Sequence, residues 1–571
     1  VSSQVSESAS VSNVRSRRWW IASLCLICAI AIALLSWASR YSINPDGISY
    51  LDIADQLQKG HFDVLLHPYW SPLYPCILAI ALKLFSPGPA TELLVVHFVN
   101  FVIALGSLAT FTFFVVEWSQ LQGVESDGEN SLTSFRLQSA FAYALFLWAA
   151  GEMIGLAPVT PDLCVAAIVF LTAGLCCRLA NSRGAWITAT LLGLSLSFGY
   201  FSKAAMLPLA VALLAILSIP RLFVLPRRSL LALSALVLFI TTAPLVFFLS
   251  RQEHHLTFGE SGRLNYAWLV LQQVPLHQGW ITPTPETGTP LHPPRVINLA
   301  PTVLEFKNTV PGTYPLWYNP AFFYQGLRTH FDWRRQRSAL VRSLQTFFVS
   351  ERLKQLTLFA GFIALFILTM RRRSRVDYSR SWLALWALAA FGMYVLVAIE
   401  PRYIAAFLVL FWIEAYGSVL TGVLNSSRAL TLAVISVVTA CIFLSQLHLV
   451  ESEVTGSMHD SHATRQIVVA TELSRLGLHP GDEIVTVGDG SFAYYARLAQ
   501  LRVVATIGLR GGDNDLAQFW SLSPDKSADL KLKLREVGAR AIVSDDAAEC
   551  SVASSEWHSI KDTGFCVEFL D

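Results

Sequence analysis

Four aspartates and two histidines crowd the stretch that follows the first apolar run: Asp46, Asp52, Asp55 and Asp63, with His61 and His67. A carboxylate at a bilayer edge works as a general base when it is held in place, partly desolvated and within reach of a substrate hydroxyl. Asp46 meets the first condition locally, because Asn44-Pro45 before it and Gly47 after it make a rigid turn. Asp52, Asp55 and Asp63 instead suit the polar side of an interfacial helix: "GISYLDIADQL" places Ile48, Leu51, Ile53 and Leu57 near helical spacing, opposite Asp52 and Gln56. A further acid, Asp162, ends "VTPD". There Thr160 reads as a helix cap, Pro161 as the first helical residue and Asp162 as an acid favoured by the helix dipole; that reading and a functional one weigh evenly. Lys203 in "GYFSKAAML" either snorkels to the interface or faces a cavity. Arg402 in "EPRY" either pairs with Glu400 or takes a phosphate oxygen pair, and Glu414 in the same late segment suits a structural polar partner.

The elements that must position these groups are apolar. Of 571 residues, 54% are hydrophobic and 14% charged, and the mean hydropathy is +0.49, which marks a polytopic α-helical membrane protein. Eleven segments are read as spans of a hydrocarbon core about 30 Å thick: 19–38, 93–117, 135–151, 161–180, 185–200, 203–220, 229–249, 355–370, 381–399, 403–423 and 429–448. Basic residues fall in alternate connections: Arg15, Arg17 and Arg18, then Arg136, Arg178 with Arg183, Arg221 with Arg227 and Arg228, "RRRSR" at 371–375, and Arg428. This asymmetry predicts a cytoplasmic N-terminal tail, 1–18, and puts the loops 39–92 and 250–354 and the tail from 449 on the outer face. A cleavable signal competes for the first span, whose apolar run is longer than a usual signal core.

The prolines of "HPYWSPLYP" at 67–75 and "SPGPA" at 86–90 shape a fixed loop. "PGTYPLWYNPAFFYQGL" at 311–327 carries interfacial aromatics and is expected to form a lid on the bilayer surface. Residues 449–571 change to soluble composition: "GDEIVTVGD" at 481–489 and "RAIVSDD" at 540–546 read as buried strands, with helices near 463–477 and 525–537, hence a small α/β domain. Cys550 and Cys566 lie in that tail, where an oxidising setting admits a disulfide, while the other seven of nine cysteines sit in or beside apolar segments as small hydrophobes. The balance of 42 basic against 40 acidic residues gives no signal for nucleic acid, and no metal-ligating cluster of the HExxH type appears.

Taken in order, "NPDGISYLDIA", the Pro-Leu-Tyr-Pro element at 72–75, "TPD" ending in Asp162, "GLSLSFGYFSK" and "EPRY" resemble the GT-C superfamily of polytopic glycosyltransferases, in its protein O-mannosyltransferase and aminoarabinose-transferase branch. The resemblance covers most of the chain, 19–448 as the transmembrane domain. It implies transfer of a sugar from a polyprenyl-phosphate donor to a hydroxyl of a glycan, lipid or protein, with inversion, on the periplasmic face of a bacterial inner membrane, in cell-envelope chemistry. Asp46 then matches the catalytic base, Lys203 and Arg402 the cations for the donor phosphate, and Asp162 and Glu400 polarise the site. Tyr74 and Tyr403 belong to the same motifs and shape it. Where relatives carry a basic residue before Pro-Leu-Tyr, this chain has Trp70 and Ser71, which leaves His67 as the nearest phosphate ligand. A divalent cation stays open, since some relatives need one. The competing reading is a transporter or lipid-linked sugar flippase, whose paired inverted repeats are not evident here. A membrane-anchored interaction protein ranks third.

Overall fold

The computed structural model describes residues 2–121, 129–223, 227–276, 279–306, 310–350, 352–370, 381–422, 428–457, 462–508, 513–546, 550, 556–560 and 562–570. The basic run at 371–375 lies outside the described residues.

Every apolar segment read from the sequence falls on a helix. The first part of the chain forms α1 (Ser2–Ala38), α2 (Pro45–Gln58), α3 (Leu73–Phe85), α4 (Glu92–Leu121), α5 (Glu129–Trp148), α6 (Asp162–Ala180), α7 (Ala185–Ser202), α8 (Met206–Leu217) and α9 (Ser229–Gln252). The outer loop that follows holds α10 (Ser261–Asn265), β1 (Arg295–Leu299), β2 (Thr302–Glu305), α11 (Pro315–Tyr318), α12 (Pro320–Phe323) and α13 (Trp333–Ser350). Then come α14 (Arg352–Met370), α15 (Trp382–Val395), α16 (Pro401–Gly422) and α17 (Arg428–Gly456). Among the described residues seven helices are long and apolar enough to cross a membrane, α1, α4, α5 with its π-turn, α6, α7, α9 and α17. The segments 203–220, 355–370 and 381–399 hold shorter apolar helices.

Apolar residues surround these helices, so their outward faces need lipid as solvent. On α9, Phe239, Ile240 and Phe247 are all exposed. Inside the bundle α4 packs on α6, α6 on α7, α7 on α9 and α15 on α16. The 13-residue α3 had no counterpart in the sequence reading. It is too short to span, and it buries Tyr74, Leu78 and Leu82 while exposing Ile80 and Leu84.

The C-terminal region comprises α18 (His462–Arg475), β3 (Glu483–Val487), α19 (Tyr494–Leu498), β4 (Arg502–Ile507), α20 (Asp513–Trp520), α21 (Pro524–Val537), β5 (Ala539–Ser544), β6 (His558–Ile560) and β7 (Phe565–Phe569). The expected strands at 481–489 and 540–546 are β3 and β5, paired in parallel, and β4 runs parallel to β3 on the other side. Side chains alternate across a strand, and both faces are buried. Ile484, Val503 and Val567 join the core shared with α2, α3 and the outer loop, whereas Val485, Val504 and Ile542 pack with Leu530 and Leu534 of α21. A disulfide links Cys550 to Cys566.

The outer loop differs from expectation. Its hairpin β1–β2 joins the C-terminal sheet, whose order is β1-β2-β4-β3-β5-β7-β6, with β2 antiparallel to β4 through Val303 opposite Ile507. A sheet of the tail alone would leave β4 as an open edge, and the hairpin satisfies those backbone groups. The sheet is therefore assembled from two distant stretches of chain. The lid residues 311–327 are held between this sheet and α2: the Val503 amide donates to the Thr313 carbonyl at 2.9 Å, and the Ser49 hydroxyl donates to the Trp317 carbonyl at 3.2 Å.

Candidate active site

Asp46 lies in the first turn of α2, after Asn44 in extended conformation and Pro45 at the first helical position. The Asn44 carboxamide accepts from the Val159 amide at 2.8 Å, which ties the connection before α6 to the start of α2. Gly47 allows this approach, since a Cβ there would meet Val159 Cβ at 2.7 Å and Ile43 Cδ1 at 2.8 Å. The turn that fixes Asp46 thus also brings α6 beside it.

Four of the sequence-selected charges converge. Asp162 Oδ1 accepts from Lys203 Nζ at 2.7 Å, and Arg402 reaches Asp162 Oδ2 at 3.6 Å and Asp46 Oδ2 at 3.5 Å. Lys203 Nζ also sits 3.4 Å from the centre of the Tyr403 ring, a cation–π contact. Each cation arrives at a helix boundary: Lys203 is the extended residue that ends α7, and Arg402 is in the first turn of α16. The two carboxylates differ. Asp162 is 2% exposed and serves both cations, whereas Asp46 is 22% exposed and can meet a substrate.

The capping reading holds in part: Asp162 is the acid in the first turn of α6, but Pro161 is the N-cap and the Thr160 hydroxyl donates to Asp162 Oδ2 at 3.0 Å. Glu400 is exposed, and Arg402 turns from it toward the two aspartates. Glu414 is buried with Trp118 Nε1 at 3.4 Å, as a structural polar group. Tyr74 is fully buried, donates to Asn100 Oδ1 at 2.7 Å and meets Tyr50 edge-on.

His67 is a correction. Its Nε2 donates to the Tyr318 carbonyl at 2.9 Å, and its Nδ1 accepts the amides of Tyr69 and Trp70 at 3.2 Å. Both ring nitrogens are used by main chain, and burial pushes its pKa down to about 3, so it is a neutral brace with nothing to offer a phosphate. Asp52 is the second correction. Expected on the wet side of α2, it is 6% exposed and bonds Thr313 and Arg497.

Trp317 was missed by the sequence reading, although it lies in the aromatic patch at 311–327. Its indole Nε1 donates to Asp46 Oδ1 at 3.2 Å, and its ring packs against Tyr69, Trp70 and Trp268 at 5.7, 5.7 and 6.1 Å. Burial, reinforced by the Asp46 carboxylate, holds the phenols of Tyr50 and Tyr69 far above their usual range and therefore neutral. The donor set does not suit a divalent cation: among the described residues no three His, Cys, Asp or Glu side chains gather as ligands, and the two carboxylates already face Lys203 and Arg402.

An apolar groove of about 240 Å³ lies among α13, α14, α15 and α16. Ile404, Phe407, Leu408 and Phe411 line it along one face of α16, opposite Leu344 and Phe347 of α13.

No protein-family model and no curated protein matches the sequence. Solved structures do resemble the fold. ArnT from Cupriavidus metallidurans bound to undecaprenyl phosphate aligns over 96% of this chain and 97% of its own, with 12% identity and a TM-score of 0.50. The Archaeoglobus fulgidus oligosaccharyltransferase in complex with zinc and sulfate aligns over 93% of this chain and 70% of its own, with 13% identity and a TM-score of 0.51. At that identity the likeness is one of architecture: this chain shares the fold of these two solved proteins.

Proposed function

We propose that this protein is a glycosyltransferase that moves a sugar from a polyprenyl-phosphate carrier to an acceptor hydroxyl at the outer face of the membrane. The observation that carries this reading is the contact of Arg402 with both Asp46 and Asp162. Asp46 takes the proton from the acceptor hydroxyl, and the freed oxygen attacks the anomeric carbon from the face opposite the phosphate. The bond from that carbon to the phosphate oxygen breaks with inversion. Lys203 and Arg402 neutralise the leaving polyprenyl phosphate, the electrostatic contribution such a displacement most needs. Trp317 orients Asp46 through Oδ1, and Asp162 keeps the cations in register. The groove accommodates the prenyl chain.

The outer-face assignment is supported by the opposite end of the bundle, where Arg136 donates to Ser16 and Arg183 to Gln120, in the basic connections expected inside. A transporter would place its charges near the middle of interrupted helices. Here they sit at the starts of α2, α6 and α16 and at the end of α7.

The test is Asp46→Asn in the native host, read as surface glycan and accumulated lipid-linked sugar. Transfer should fall by roughly 10²–10⁴-fold, the usual contribution of a general base, with the donor accumulating. Undiminished transfer would remove Asp46 from the mechanism.

A further inference from the structure

A buried guanidinium joins the C-terminal region to α2 and α4. Arg497 on α19 is 5% exposed and contacts three carboxylates from two helices. Nη1 donates to Asp52 Oδ1 at 2.7 Å and to Asp55 Oδ2 at 2.8 Å. Nε and Nη2 donate to the two oxygens of Glu92, at 3.1 and 2.8 Å, and Tyr494 adds a phenol to the same acid. A planar guanidinium fits such a set where an ammonium does not.

Asp52 passes this anchorage on. Its Oδ2 accepts the Thr313 amide at 2.7 Å and its Oδ1 the Thr313 hydroxyl at 3.0 Å. The Thr313 carbonyl is meanwhile held by Val503 of β4. Thr313 is four residues before Trp317, whose indole holds Asp46, and Asp46 begins the helix on which Asp52 lies. The tail, the lid and the candidate base are joined by one run of short polar contacts.

We infer that Arg497 is a positioning residue for transfer: by clamping Asp52 it seats Thr313 against α2 and so sets Trp317 on Asp46. This rests on the reading of Asp46 as the base, and it gives the outer domain a part in the site. A purely structural ion cluster would stabilise the protein without altering the surroundings of Asp46.

The experiment is carboxylate footprinting of the full-length protein in detergent, with a water-soluble carbodiimide and glycine ethyl ester, read by mass spectrometry at Asp46. Arg497→Lys should raise Asp46 labelling about five-fold or more, and Thr313→Val by a smaller factor, as expected for loss of hydrogen bonds to a charged group. Thr313→Ser, which keeps the hydroxyl, should label at the wild-type rate. Glu152, held in the bundle by Lys354 and Gln446, is the internal reference, and its rate should not move. If Arg497→Lys unfolds the protein, Glu152 labelling rises too, and the Thr313 pair decides. Unchanged Asp46 labelling in folded Arg497→Lys, or in Thr313→Val where Arg497→Lys unfolds, overturns the proposal, as does equal labelling of Thr313→Val and Thr313→Ser. The footprint needs no substrate, so its failure is distinct from retained transfer in Asp46→Asn, which would sink the base assignment alone.

Discussion

Two charge clusters share the helix α2, and they are built in opposite ways. At its start Asp46 and Arg402 stand 3.5 Å apart with side chains 22% and 23% exposed. Six residues on, Asp52 and Arg497 stand 2.7 Å apart with side chains 7% and 5% exposed. The first pair is slack and wet, so a substrate hydroxyl and phosphate can replace its mutual contact at little cost. The second is short and dry, and its desolvation is offset only while all partners remain.

The contrast breaks most sharply with Arg497→Met, which strands buried carboxylates and should cost about 3–5 kcal/mol of stability, measured by thermal unfolding in detergent. Asp46→Asn should stay within about 1 kcal/mol of wild type in the same assay. A reversed order would erase the distinction. Arg402→Met tests the slack side by activity: transfer should fall roughly 10²–10³-fold, the scale of losing one preorganised donor to developing charge, with the melting temperature nearly kept. Gly47→Ala probes the joint between the clusters. The new methyl would press on Val159 and Ile43, an overpacking cost of about 1–3 kcal/mol, and should reduce transfer by separating Asp46 from Asp162.

A pH-dependent effect concerns His67, which braces residues 67–70 against Tyr318. His67 has its pKa lowered to about 3 by burial, so the unfolded chain takes up a proton more readily than the native one. Its contribution to stability is complete above pH 6.5 and is lost as pH falls from there toward 3, by about 1.4 kcal/mol per unit. The acid slope of the unfolding temperature should therefore flatten in His67→Gln.

How much of this was legible depended on range. Asp46 was readable because Pro45 and Gly47 are its chain neighbours, Lys203 because a lone cation in apolar sequence demands a partner, and Arg402 because "EPRY" sets it beside Glu400 at a turn. Their convergence with Asp162 followed the expectation. His67 misled, because an imidazole beside prolines reads as a free ligand until Tyr318, 251 residues away, takes its Nε2. Asp52 misled for the same reason: helical periodicity put it opposite Leu51 and Ile53, but Thr313 and Arg497 bond it across 261 and 445 residues. Trp317 gave a signal only as one aromatic among several at 311–327.

By itself, the sequence determined the apolar helices, the rigid turn that carries Asp46 and the buried strands β3 and β5, because hydropathy, proline geometry and alternation act within a few residues. Only the tertiary structure decided which aspartate stays wet, that β1–β2 completes a sheet from the far end of the chain, and that Arg497 and Trp317 bear on Asp46. Those outcomes depend on which distant groups share a desolvated space, and desolvation is a property of the packed molecule.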